Sequence, residues 1–293
     1  LIAIYTLSLL VQGVSQQGLT SLLQLVLITG FFNGISLILR GKGREIFLMV
    51  LASVAFVFFG INVVLWLASG MPSSFKSYFA HPNPLGAITL FLLYFPLAQL
   101  SVSRGFLRYF WLGTSCLGLV LLFATTSRST WLAAIAIFVT YLLWNFISRN
   151  RFFFTLIPFL LYSLIAATIF VYATLPQSPY GAPLNTLVKE VTGKNLFSGR
   201  DRFWLDLITT IGEKPIFGYG AGSLPRDTLG ITLSTHSLYL QVLLQVGFIG
   251  LCVLLLALWQ VWLAFRRYPE HPWVRLSGAF FVGILVHQIF EVS

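Results

Sequence analysis

Nothing constrains this chain more than the recurrence of apolar runs close to 20 residues long, each closed by a short polar or basic turn. An apolar helix of about 20 residues spans the ~30 Å hydrocarbon core of a bilayer. In lipid, a helix also satisfies its own backbone hydrogen bonds. The runs are 18–39, 46–69, 85–102, 109–125, 131–147, 152–175, 237–265 and 276–290, with 1–12 reading as the tail of one more. Only 9% of the residues are charged, against about 25% in a soluble domain. The expected fold class is all-α: a polytopic transmembrane helix bundle of about eight full spans or part-spans. We read 1–293 as a single integral membrane domain with one large loop, 176–235. Because Leu1 falls inside an apolar run, the sequence reads as a fragment of a protein with further spans.

The net charge of +10 invites a nucleic-acid reading, but the placement of the charges argues against one. Alternate turns hold Arg40, Lys42, Arg44, Arg104, Arg108, Arg149, Arg151, Arg266, Arg267 and Arg275, opposed only by Glu45 and Glu270. The positive-inside rule makes these turns cytoplasmic. The opposite side carries Lys76 and Arg128 in its short turns. In the long loop Lys189, Lys194, Arg200, Arg202, Lys214 and Arg226 are nearly balanced by Glu190, Asp201, Asp206, Glu213 and Asp227. The long loop therefore faces outward, the charge is topological, and no nucleic-acid partner is expected. Cys116 and Cys252 lie in apolar runs and read as packing residues.

Within the loop, residues 201–213 carry Trp204, Leu205, Leu207, Ile208 and Ile211 at helical spacing, the pattern of an amphipathic helix suited to the membrane interface. Gly218-Tyr219-Gly220-Ala221-Gly222 lacks the preceding strand of a phosphate-binding fingerprint and reads as a flexible turn. Four positions could carry chemistry. Arg128 lies between two apolar runs with almost no loop around it. It either snorkels to the headgroups or binds an anion. Arg200 and Arg202 open the loop helix, as a solvated helix end or as bidentate phosphate ligands. His236 stands where the loop meets a span, as an interface residue or a base active near neutral pH. Continued as one helix, Leu243, Gly247 and Gly250 fall within about 40° of His236, so the two glycines read as a closely packed helix face. His81 and His271 read as loop residues and His287 as a packing residue. Metal-ligand spacings, a nucleophile elbow and a Walker lysine are all missing from the sequence, and no cofactor or metal is expected.

The sequence resembles the O-antigen ligase and polymerase superfamily of bacterial envelope proteins. The resemblance rests on His236-Ser237, nine residues from Leu238 to Val246, then Gly247-Phe248-Ile249-Gly250. It is supported by Thr126-Ser127-Arg128-Ser129, by Ser198-Gly199-Arg200 with Trp204, and by Glu213-Lys214-Pro215-Ile216-Phe217-Gly218-Tyr219-Gly220, and covers roughly residues 75–265. Family members usually have more spans. The resemblance implies a membrane-embedded glycosyltransferase of the bacterial inner membrane with its active face outward. It would move a glycan from a polyprenyl diphosphate carrier to an acceptor hydroxyl, on a glycolipid or a growing glycan, without a metal. Arg128 and Arg200 would bind the diphosphate and His236 would be the general base, with Gly247 and Gly250 supporting helix packing. The three chemical residues are then expected to line one outward cavity beneath the loop helix. A repeat-unit polymerase of the same superfamily fits almost as well. From a different class, an anion transporter of the bicarbonate type would also use outward-facing arginines, and an inactive scaffold is a third reading.

Overall fold

The computed structural model describes residues 2–13, 16–38, 42–193, 195–197, 200, 203–231 and 234–291. Arg40, Lys194, Ser198, Gly199, Asp201 and Arg202, which entered the sequence reading, lie outside the described residues. The regular elements are α1 (Ile2–Gln12), α2 (Gln16–Ile38), α3 (Lys42–Ala68), α4 (Pro82–Val102), α5 (Phe106–Thr125), α6 (Arg128–Arg149) and α7 (Arg151–Thr174). They continue through a short 3-10 turn (Leu175–Gln177) to α8 (Gly181–Thr192), α9 (Trp204–Glu213), α10 (Pro225–Leu229), α11 (Leu238–Phe265) and α12 (Pro272–His287). Among the described residues there is no strand. Among the described residues, six helical segments are long and apolar enough to cross a membrane: Gly43–Ala68, Pro82–Val102, Phe106–Thr125, Arg128–Arg149, Arg151–Gln177 and Leu238–Phe265. The chain is an all-helical, polytopic membrane protein.

Helix α4 starts at Pro82 with His81 as its N-cap, three residues before the apolar run that begins at 85. The reason is that backbone N–H groups of the first turn have no partner inside the helix, so prolines at both 82 and 84 are tolerated there. The long loop is also more helical than the sequence suggests, since α8 and α10 join the expected α9.

The chain packs as two compact units. One comprises Gly30–Thr155 and Val261–His287. Its core joins Phe59, Leu85, Leu93, Leu121 and Leu122 to Ile137, Leu276 and Phe280, all buried. Small residues let α12 approach α6: a Cβ at Gly278 would lie 2.2 Å from the Trp144 ring, and one at Gly283 would lie 2.3 Å from Ile137. Polar ties hold the same pair, with Arg275 Nε donating to the Tyr141 carbonyl at 2.9 Å and Trp144 Nε1 to that of Pro269 at 2.8 Å.

The other unit comprises the chain up to Thr29, Leu156–Gln260 and the residues from Gln288 onward. The apolar stripe of α9 is its centre. Trp204, Leu207 and Ile211 are buried against Ala173 of α7 and Leu240 and Leu244 of α11. The stripe is therefore taken up by protein packing. Burying a side chain of this size contributes about 1.5–3 kcal/mol, enough to fix α9 on the two long helices.

Candidate active site

The site of this second unit is built around one carboxylate. Glu291 follows α12 and has a side chain only 13% exposed. One of its oxygens lies 3.5 Å from Arg200 Nη2, and the other lies 3.7 Å from His236 Nδ1. Arg200 is itself 10% exposed at the side chain and also donates from Nη2 to the Phe290 carbonyl. Its guanidinium stands over the rings of Trp204, at 5.8 Å, and Phe290, at 5.5 Å. A buried ion pair needs such additional partners to offset its desolvation.

His236 is held from both sides along the chain. Trp204 Nε1 donates to the Thr235 carbonyl at 2.9 Å, and Thr235 and Ser237 are both fully buried. The Leu238 amide donates to the Gln288 carbonyl at 3.1 Å, which ties the start of α11 to the segment carrying Glu291. Between these anchors His236 adopts φ of +50°, a left-handed conformation uncommon for residues other than glycine. Its side chain is 36% exposed, so one face of the imidazole meets its surroundings while Nδ1 faces the carboxylate.

Gly247 does not continue a helical face from His236. α11 begins only at Leu238, and at Gly247 the backbone leaves helical geometry, with φ +63° and ψ −163°. The helical-wheel projection from His236 to the two glycines therefore fails at both ends. What the break provides is an exchange of backbone bonds with the loop after α9. The Leu244 and Gln245 carbonyls accept from the amides of Tyr219 (2.7 Å) and Gly220 (3.0 Å). The amides of Phe248 and Ile249 donate to the carbonyls of Pro215 (2.7 Å) and Ile216 (3.4 Å). Residues 215–220 are thus spliced into α11. A Cβ at Gly247 would lie 2.3 Å from the Ile216 carbonyl oxygen, while one at Gly250 would meet mainly the Val246 side chain. Non-helical backbone at membrane depth is tolerated where protein satisfies it in this way. The glycine-rich segment 218–222 is a fitted insert and not a flexible turn.

Beside α9, the same unit holds an apolar cavity of about 320 Å³ between α7 and α11, lined by Ile169, Phe170, Ile208, Tyr239 and Leu243 among others. At the exposed end of α9, Tyr219 donates to Glu213 at 2.6 Å, and this hydrogen bond pushes the phenol up to about 12.

Arg128 belongs to the first-described unit. α5 ends in a left-handed residue, Thr126, Ser127 caps α6, and Arg128 is its first residue, as the tight Thr126-Ser127-Arg128-Ser129 connection anticipates. The half-buried arginine is surrounded in sequence by buried hydroxyls: Thr125, Ser127, Ser129 and Thr130. The Ser127 and Ser129 hydroxyls are 3.2 Å apart, and Thr130 Oγ1 donates to the Ser127 carbonyl at 2.8 Å. Arg200 and His236 are brought to one carboxylate, and Arg128 is placed in its own unit.

Glu291 had no part in the sequence reading. Its signal was topological: the last span begins in the basic turn ending at Arg275, so it delivers Glu291 to the same side as the long loop.

In this polytopic helical membrane protein a histidine, an arginine and a carboxylate converge in one unit. Residues 113–255 match the family model described as O-antigen ligase, and the match supports the O-antigen ligase superfamily. That match supports a membrane glycosyltransferase of the O-antigen ligase or polymerase type. The matched segment contains Arg128, Arg200, His236, Gly247 and Gly250, and Glu291 lies beyond it. Comparison with curated proteins and with solved structures finds no match.

Proposed function

We propose that the protein transfers a glycan from a polyprenyl diphosphate carrier to an acceptor hydroxyl at the outer face of the bacterial inner membrane. The observation that carries this reading is the Arg200–Glu291–His236 cluster. With Nδ1 of His236 facing Glu291, the imidazole's Nε2 is the atom left to take a proton. The acceptor O–H attacks the anomeric carbon, its proton passes to Nε2, and the bond from that carbon to the diphosphate oxygen breaks. The polyprenyl diphosphate leaves with the electron pair, and a single displacement inverts the anomeric centre. Arg128 and Arg200 are the cations for the diphosphate, doing the electrostatic work that a metal does in other transferases. Arg128 suits that role because a cation in the first turn of a helix gains nothing from the helix dipole, whereas an anion there is favoured by both. Arg200 additionally anchors Glu291. The apolar cavity beside α9 suits a stretch of isoprenoid chain.

The test is transfer of a polyprenyl diphosphate-linked glycan to candidate acceptors by the purified protein in chelator, comparing His236→Ala. Loss of transfer by a hundredfold or more is expected, and unchanged transfer would falsify the mechanism. A lipid A-core glycolipid as the competent acceptor marks a ligase, and a second repeat unit marks a polymerase. For the transporter alternative, the broken helix at Gly247 is the pertinent feature, since transporters bind ions at such breaks. Here the backbone groups at the break bond residues 215–220 and are not presented to an ion.

A further inference from the structure

The unit that carries Arg128 holds a second cavity, of about 420 Å³. It is lined by Arg44 and Phe47 of α3, Tyr94 of α4, Tyr268 and His271 of the turn after α11, and Trp273 of α12. Arg44 and the turn after α11 belong to the basic set that faces the cytoplasm. We propose that this cavity binds the headgroup of an anionic glycerophospholipid from the cytoplasmic leaflet.

Three observations converge on that ligand. The Arg44 guanidinium stands 4.5 Å over the Trp273 ring, a cation–π contact that orients a charge without neutralising it. His271 Nδ1 accepts from the Trp273 amide at 3.3 Å, so a neutral His271 carries its proton on Nε2 and is a donor there. Deeper in, the Tyr94 and Ser277 hydroxyls pair at 2.9 Å, and Leu48 and Phe95 close an apolar floor. Donors at the mouth and hydrocarbon below match a phosphodiester above its glycerol and acyl chains. Charge complementarity points the same way. The adjoining turn adds Arg266 and Arg267, and its one acid, Glu270, lies 3.8 Å from Arg149. Basic pockets on this side of a membrane protein are the usual place for anionic headgroups.

The experiment is native mass spectrometry of the purified protein in detergent with phosphatidylglycerol, with phosphatidylcholine of the same acyl chains, or with inorganic phosphate. We expect selective retention of phosphatidylglycerol, reduced about fivefold by Arg44→Gln and further by Arg44→Gln with His271→Ala, while Arg104→Gln, in another basic turn, leaves it unchanged. Arg44→Lys should keep part of the selectivity, which separates lost charge from lost folding. Selectivity that persists in the double variant, falls equally in Arg104→Gln, or is abolished by inorganic phosphate at matched concentration overturns the proposal.

Discussion

Nδ1 of His236 lies 3.7 Å from Oε2 of Glu291, and the opposite oxygen of the same carboxylate is paired with Arg200 at 3.5 Å. A carboxylate placed behind an imidazole fixes its tautomer and steadies the cation that forms when it takes a proton. Glu291→Gln should therefore lower kcat by about ten- to a hundredfold and leave the KM for donor nearly unchanged. Glu291→Asp should recover part of the rate. A merely structural role for Glu291 predicts instead parallel losses of folded protein in all variants, which size-exclusion recovery from detergent would reveal.

Arg128 offers a test of geometry against charge. Lysine keeps the charge but loses the planar fork that grips two oxygens at once. Arg128→Lys should reduce kcat/KM for the donor by about tenfold, a loss of ~1.4 kcal/mol in transition-state binding. The acceptor's KM should not move. Equal activity of the two proteins would remove Arg128 from the donor site.

The two glycines of the Gly247-x-x-Gly250 pair should behave differently. At Gly247 an alanine meets the Ile216 carbonyl oxygen at 2.3 Å in a left-handed backbone. Backbone of that kind costs about 1–3 kcal/mol for an ordinary residue, before any clash. At Gly250, whose backbone is helical, the obstacles are Val246 Cγ2 and Cβ, at 2.1 and 2.7 Å, so a local shift of the helix is needed but no backbone oxygen stands in the way. Thermal unfolding in detergent should show Gly247→Ala losing far more stability than Gly250→Ala. The reverse order would be incompatible with the loop splice.

Tyr219 supplies a pH prediction. Its hydrogen bond to Glu213 raises the phenol from 10.0 to about 12. The folded protein therefore holds this proton longer than the unfolded chain does. The associated stabilisation is complete below pH 10 and is lost as pH rises toward 12. Alkaline difference spectra of the parent against Tyr219→Phe should show a late tyrosinate transition, and Glu213→Gln should bring it back toward 10.

Most of the spans were legible because length and hydropathy alone decide them. The stripe on α9 was legible as a helix, yet its partner was not. Trp204 and Leu207 fit protein or lipid equally well, and only Ala173, Leu240 and Leu244 settle which. The motif glycines marked the right place for an unforeseen reason, since a periodicity argument presumes an unbroken helix and Gly247 breaks it. The position of His236 at a loop–span junction was legible in the sequence, and the structure places it 3.7 Å from Glu291. Glu291 was passed over because nothing local links it to His236 or Arg200: the cluster exists only once α11 and α12 have folded.

The splice of residues 215–220 into α11 also limits how that segment can move. Because each backbone bond broken in the helix is remade with the insert, that stretch cannot swing aside without unzipping the helix that follows His236. The segment between Pro215 and Gly220 is thus a fixed part of the unit that carries the Arg200–Glu291–His236 cluster.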